Sequence, residues 1–329
     1  MKVINIPTGK IIISDYSKGQ LETLSIGDYG KENNIKADFL GFNKEINGVA
    51  NTNCKNLSEK WVVTLSTQYG CSMSCIFCDC PQIRFNGNAT VDDLKVQLLN
   101  ALNEYKEVRY TDRLNIHFAR MGEPSFNYKN VFKFSSWLSN KPMFQEETNI
   151  RVETIHPVFT TMVPKNHKRI SNVLSTWCNI KNMLFNGQAG LQLSINSTDV
   201  DQRDTMFNKM SLSLGDISKI AKTLPTSVGR KYCLNFAITD NTIIDPEYLS
   251  SLFDINNWMV KITPIHNNNA CRNNKIETKD GYSSYSVYKE HEDNLKSFGF
   301  DVLVFVPSED EERTTVTCGN AILGGSTIR

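Results

Sequence analysis

Gln68-Tyr69-Gly70-Cys71-Ser72-Met73-Ser74-Cys75-Ile76-Phe77-Cys78 sets three cysteines at C-x3-C-x2-C, with an aromatic residue just before the last. The stretch follows directly on an apolar run, Trp61-Val62-Val63-Thr64-Leu65-Ser66, that reads as a β-strand. Three thiolates at this spacing can take three irons of a [4Fe–4S] cube and leave the fourth iron without a protein ligand, whereas a ferredoxin-type site supplies four cysteines. Cys80, two residues further on, brings the loop to four cysteines. A four-cysteine zinc site is the competing reading, but such sites usually use two separated pairs. Cys80 alone reads as a spare buried or loop thiol.

Outward from this loop, apolar runs alternate with helical patterns. Strands are expected at 61–66, 114–119, 150–155, 191–196, 232–238, 259–265 and 301–306, and helices near 90–106, 128–139, 165–178, 214–224, 246–253 and 282–298. Thr90 with Asp93 three residues on marks the first helix start. Six or seven β-α repeats imply parallel strands covered by helices. The fold class expected is α/β, a partial (βα)6 TIM-like barrel over residues 57–329. Residues 1–56 differ: short β-type runs broken by Gly and Asp read as a small β-rich N-terminal appendage.

Composition bounds the function. The chain has 329 residues, 40% of them apolar, which is enough for a proper core. Its formal net charge of +1 excludes a strongly basic nucleic-acid binder, so any contact with nucleic acid needs a local patch. The N-terminus has no long apolar leader and no run reaches membrane-spanning length, so no membrane partner is expected. Nine irregularly spaced cysteines then favour metal or catalysis over a disulfide framework, and a reducing, cytoplasmic location.

The spacing C-x3-C-x2-C resembles the hallmark of radical S-adenosylmethionine enzymes, in which the open iron binds that sulfonium cofactor. In barrels of this kind the chemistry sits at the carboxyl ends of the strands. Four strand ends offer candidates. Met121-Gly122-Glu123-Pro124 follows the second strand; Gly122 allows close backbone approach and Glu123 presents a carboxylate for the ammonium of a methionine moiety. Thr160 and Thr161 follow the third strand and can either bind a ligand or cap the next helix. Ser194 and Asn196 alternate with apolar residues at the fourth. His266-Asn267-Asn268-Asn269 ends the sixth; Asn268 is the candidate there, although asparagine-rich ends are also turns. None of the five histidines pairs with another at a metal spacing. Cys318, followed by Gly319 near the C-terminus, reads in isolation as an inert thiol.

Together these residues resemble the RlmN/Cfr family of radical S-adenosylmethionine RNA methyltransferases. The anchors are Ser66, Gln68, Gly70, Cys71, Cys75, Phe77 and Cys78, then Asn88 and Thr90, then Met121-Gly122-Glu123-Pro124 with Asn127. Val163-Pro164, Ser194 with Arg203-Asp204, and Cys318-Gly319 complete the set. The resemblance implies a [4Fe–4S] cluster on Cys71, Cys75 and Cys78, and S-adenosylmethionine held by Gly122, Glu123, Thr160, Ser194 and Asn268. It further implies a methyl group first placed on Cys318 and then passed, as a carbon radical, to an sp2 carbon of adenine in RNA (tRNA or rRNA) or another adenine-containing substrate. A reducing electron donor such as flavodoxin or ferredoxin is implied too. Adenine carbons 2 and 8 are electron-poor, so a nucleophilic carbon radical suits them better than an electrophilic sulfonium methyl.

Three departures point at the substrate. The family carries a cysteine seven residues before the first cluster cysteine, where it resolves the adduct through a disulfide; this chain has Thr64 there. The N-terminal part is short and β-like where RlmN has a helical RNA-binding extension. Gly319 is followed by Asn320-Ala321 in place of Gln-Leu, and the upstream Thr-Arg-Gly is missing. The rival readings are a radical enzyme acting on a nucleotide, DNA or peptide, and a non-catalytic iron–sulfur or zinc protein.

Overall fold

The computed structural model describes residues 1–6, 8–27, 45–46, 49–50, 56–276, 278, 286–306 and 321–323. Cys318 therefore lies outside the described residues. The chain forms two compact units: Met1–Ser72 with Asp79–Val158 and Pro307–Arg329, and Met73–Cys78 with Phe159–Val306.

The first unit begins as an antiparallel meander of β1 (Lys2–Ile6), β2 (Gly9–Tyr16) and β3 (Gly19–Ile26). These strands are the β-rich N-terminal segment expected from the sequence. A two-residue ribbon, β4 (Glu45–Ile46) and β5 (Val49–Ala50), follows. The meander joins the α/β portion through β3, which pairs antiparallel with β6 (Trp61–Leu65), Ser25 opposite Val63. Parallel pairing starts with β7 (Tyr110–Phe118), Trp61 opposite Leu114. Strand β8 (Arg151–Thr161) begins in this unit.

β3 is buried from Leu21 to Ile26, on both faces. Leu24 and Ile26 pack with Ile6, Ile11 and Ile13, joined by Ile322. The opposite face meets α1 (Val91–Asn103): Thr23 donates to Gln97 (3.2 Å) and Ser25 to the Ala101 carbonyl (3.1 Å). The Thr90 hydroxyl and Asp93 carboxylate form the expected capping box of α1. Helices α2 (Tyr128–Ser139) and α3 (Lys141–Thr148) complete the described helices here.

The second unit carries the end of β8, then α4 (Ile170–Leu184), β9 (Gly190–Ser194), α5 (Val200–Met206), α6 (Leu214–Ala221), β10 (Tyr232–Ile238), α7 (Pro246–Leu252), β11 (Trp258–Pro264), α8 (Asn269–Asn273), α9 (Ser286–Ser297) and β12 (Asp301–Val304). β9 to β12 lie side by side in chain order, each pair parallel. This is the α/β alternation that the sequence pattern predicts.

The sequence reading differs from the structure at β8. It was expected to end near 155, but the β-branched and aromatic run Val158-Phe159-Thr160-Thr161 carries it to Thr161, through Pro157. The following helix starts at Ile170 with Arg169 at its N-cap, not at 165. Neither Thr160 nor Thr161 caps it. No helix among the described residues is long and apolar enough to cross a membrane.

Candidate active site

In the first unit one carboxamide ties the cysteine loop to the Gly-Glu-Pro turn. β6 runs out at Leu65, and Gln97 of α1 grips the next residue on both sides, accepting from the Ser66 N–H (2.9 Å) and donating to its carbonyl (3.0 Å). The Gln68 oxygen then accepts from the Ser72 N–H (3.2 Å), the Ser72 hydroxyl (3.0 Å) and the Glu123 N–H (3.0 Å). Its nitrogen donates to Asn88 (2.8 Å), and Asn88 donates to the Phe126 carbonyl (2.9 Å). Asn127 adds bonds to the Thr67 and Ala89 carbonyls, each 2.8 Å.

This convergence explains Gly122. Its φ is +99°, and a Cβ there would stand 2.6–2.8 Å from the Gln68 backbone and side chain. Glu123 is buried at 4% exposure, and one carboxylate oxygen accepts from the Ser125 N–H (2.9 Å). Arg120, two residues before Gly122, is ion-paired with the buried Glu22 of β3. The other Glu22 oxygen accepts from the Ile322 N–H (3.1 Å).

In the second unit the segment from Met73 to Cys78 is fixed by its backbone. The Ile76 N–H donates to the Met206 carbonyl at the end of α5 (3.0 Å), and the Ile76 carbonyl accepts from Asn274 (2.8 Å). The Phe77 carbonyl accepts from Asn268 (2.9 Å) and lies 3.3 Å from the Cys271 sulfur. The Phe77 and Phe207 rings meet edge to face at 5.7 Å. The Cys75 sulfur lies 3.7 Å from the Met162 sulfur.

Arg203, 3% exposed, turns its guanidinium onto the Ser194, Ile195 and Leu212 carbonyls and the Ser211 hydroxyl. Burial lowers its pKa to about 10. It braces the end of β9. A cleft of about 420 Å³ has Ile76, Met206 and Ile276 on its walls, with Asp201, Thr239 and Thr242 among its polar residues. That size suits a nucleoside-sized ligand.

Comparison with known proteins gives a consistent picture. No family model matches the chain. A 208-residue stretch, 62% of the chain, is 26% identical to the ribosomal RNA large subunit methyltransferase N of Nitrosopumilus maritimus. A 207-residue stretch is 25% identical to a probable dual-specificity RNA methyltransferase RlmN of Thermotoga petrophila. The chain spans about half the length of these relatives, 54% of each. A solved radical SAM methyltransferase from Sphaerobacter thermophilus aligns with a TM-score of 0.64, over 97% of this chain and 79% of that one, at 16% identity. The chain resembles the RlmN family of radical S-adenosylmethionine proteins.

The RlmN-like cysteines suit a cluster by the chemistry of the donor set. Cys71, Cys75 and Cys78 are thiols outside any disulfide, and all three are partly exposed. Cys80 is buried in a 3-10 turn, with its sulfur 3.7 Å from the Arg120 carbonyl. Three accessible thiols and one turned into the fold match a cube with one iron left open. Among the described residues no group of three His, Cys, Asp or Glu side chains could hold a single metal ion.

The other candidates differ in how far their polar atoms are already engaged. The Ser194 hydroxyl makes no hydrogen bond to a described residue and stays part-exposed at the end of β9. Thr160 lies within β8, where its hydroxyl donates to Gln192 (3.3 Å). The Asn268 oxygen caps α8 by accepting from the Cys271 N–H (2.8 Å), while its nitrogen holds Phe77, so both ends already serve the protein. Asn196 lies beyond β9 with φ +65°, its side chain accepting from the Ala237 N–H (3.1 Å). The sequence reading missed Gln97, Glu22 and Arg120. The only local signal for Glu22 was a single acid inside the β-run Leu21–Ile26.

Proposed function

We propose that the chain is a radical S-adenosylmethionine methyltransferase that adds a methyl carbon, carried by Cys318, to an sp2 carbon of an adenine base. The observation that carries this reading is Gln68. Its oxygen accepts from the Ser72 N–H inside the cysteine loop and from the Glu123 N–H of the Gly-Glu-Pro turn, so the two cofactor motifs share one acceptor. Bound cluster and cofactor would supply a carbon-centred radical by reductive cleavage. The chain's own residues then do the rest. Cys71, Cys75 and Cys78 would hold the cluster. The Glu123 carboxylate is our candidate for the cofactor ammonium, and the Gly122 backbone for close approach to it. Ser194 offers an unused hydroxyl, and Thr160 and Asn268 border the same strand ends.

The relatives' names refer to RNA, and we extend an RNA base to this chain only as a substrate proposal; a flipped or unpaired base is then required. Thr64 favours a second reading, an adenine-containing substrate other than RNA. A hydroxyl on β6 cannot resolve a thioether-linked adduct by forming a disulfide. A reducing cytoplasm and a flavodoxin- or ferredoxin-type donor complete the proposal.

The test is anaerobic reconstitution with iron, sulfide, dithionite and S-adenosylmethionine. The expected result is 5′-deoxyadenosine above the level of a Cys75→Ala variant, together with a methyl group on Cys318 by mass spectrometry. If 5′-deoxyadenosine stays at background, the enzymatic reading fails. If it forms while a Cys318→Ala variant still makes product at the normal rate, only the Cys318 route fails.

A further inference from the structure

In the second unit a polar row crosses three adjacent parallel strands. Ser194 of β9 stands opposite Asn235 of β10, and Asn235 stands opposite Lys261 of β11. The two faces of these strands differ. Leu234, Phe236, Ile238, Val260 and Ile262 are fully buried, whereas Asn235, Ala237, Met259, Lys261 and Thr263 remain part-exposed. The face bearing Lys261 therefore borders space that solvent can enter. Asn235 and Lys261 are each the fourth residue of a seven-residue strand, so both sit about 10 Å short of the strand ends.

Among the described residues no acid answers Lys261. Its ammonium forms no ion pair and no hydrogen bond with a described residue, and lies 5.4 Å from the centre of the Phe305 ring. Burial and the positive field of Arg230 push its pKa down, and only the Cys233 thiol opposes them. Arg230 likewise has a pKa lowered by burial, and its guanidinium makes no hydrogen bond or ion pair with a described residue. The acid of the neighbouring strand, Asp301, is taken by Lys231 at 2.6 Å. The Asn235 amide also makes no hydrogen bond with a described residue, and its oxygen is buried without a partner among them. The Lys261 ammonium and the Asn235 amide thus stand on adjacent strands, on a face that solvent can enter, and an anion between them would meet a positive charge and N–H donors together.

We propose that Lys261 and Asn235 form a subsite that seats the phosphate or carboxylate of a small substrate on the open face of β10 and β11. The unused Asn235 amide supplies N–H donors to the anion, and its oxygen accepts from a hydroxyl or amine beside it. On β10 and β11 the row lies about 10 Å short of the strand ends, but on β9 it reaches the end, at Ser194, so the anion would belong to a ligand lying against the carboxyl end of β9. This inference uses the methyltransferase reading only to call the ligand a substrate, and its test reads binding rather than turnover.

The experiment is titration calorimetry on the full-length, cluster-loaded protein. Inorganic phosphate and succinate serve as separate probes, against chloride at equal ionic strength. One of the two anions binds with unit stoichiometry, and which one does so names the anionic group. Lys261→Met weakens that binding at least about tenfold, the scale of one lost charge-assisted contact. Lys289→Met, which removes an exposed lysine paired with Asp293, leaves it unchanged. The proposal is overturned if neither anion binds, or if Lys261→Met binds as the wild type does. It is also overturned if Lys261→Met loses S-adenosylmethionine affinity to the same extent, since the subsite would then belong to the cofactor's carboxylate. Deoxyadenosine formation and Cys318 methylation are separate measurements, so a failure here leaves the methyltransferase reading standing.

Discussion

Glu22 with Arg120 in the first unit and Lys261 in the second show opposite treatments of charge. The Glu22 carboxylate receives Arg120 on one oxygen and the Ile322 N–H on the other, and its backbone carbonyl accepts from the Ser66 hydroxyl (2.5 Å). That charge is spent inside the fold, joining β3 to the segment that leads into Gly122. Among the described residues Lys261 has no such counter-charge. The first charge holds structure together; the second is the one we propose for a ligand.

The comparison can be broken most forcefully at Glu22. Glu22→Ala strands the Arg120 guanidinium, and the expected loss is about 3–5 kcal/mol of stability, read by urea denaturation. A loss near zero would mean that the pair is not the brace described. Lys181 gives an intermediate case. It is fully buried with no acid beside it among the described residues, donating to Val228 (2.6 Å) and Asn182 (3.3 Å) and lying 5.4 Å from the centre of the Tyr232 ring. Burial lowers its pKa to about 8. The unfolded chain keeps that proton up to the ordinary lysine range, so between about pH 8 and 10.5 the unfolded state binds more protons and Lys181 adds stability as pH rises. Relative to Lys181→Met, the wild type should gain on the order of 1–2 kcal/mol between pH 7 and 9.5. A difference that does not change with pH would contradict the assignment. The smallest effect is expected at Lys261. Without anion, Lys261→Met should change stability by less than about 1 kcal/mol and in the stabilising direction, because it removes an uncompensated cation. A large destabilisation in thermal unfolding would show that Lys261 has a structural partner after all.

How much of this was legible in the sequence follows from how local each signal is. The cysteine loop and the Gly-Glu-Pro turn are contiguous motifs, and β10 was bounded correctly because aromatic and aliphatic residues fill it between polar flanks. β8 was cut short because Pro157 and the threonines read as a strand exit. Helices α3, α5 and α8 were missed, although α6 and α7, of similar length, were expected: α3, α5 and α8 each follow closely on another element and are mostly polar, so no separate apolar period marks them. Their caps, Asn140, Asp199 and Asn268, were the available cues. Asn268 shows why such cues mislead: the amide that attracts a ligand-binding reading is the same group that caps a helix. Lys261 was invisible for a different reason. Met259, Lys261 and Thr263 alternating with apolar residues look like the solvent face of any strand, and only the register with Asn235 and Ser194 reveals a shared row.

Ile76 has a further consequence. Its N–H and its carbonyl are both engaged, by Met206 and Asn274, so the main chain between Cys75 and Cys78 is held on both of its polar groups by residues far away in sequence. A substitution at Asn274, nearly two hundred residues downstream, would therefore be felt as a change in the spacing of those two thiols.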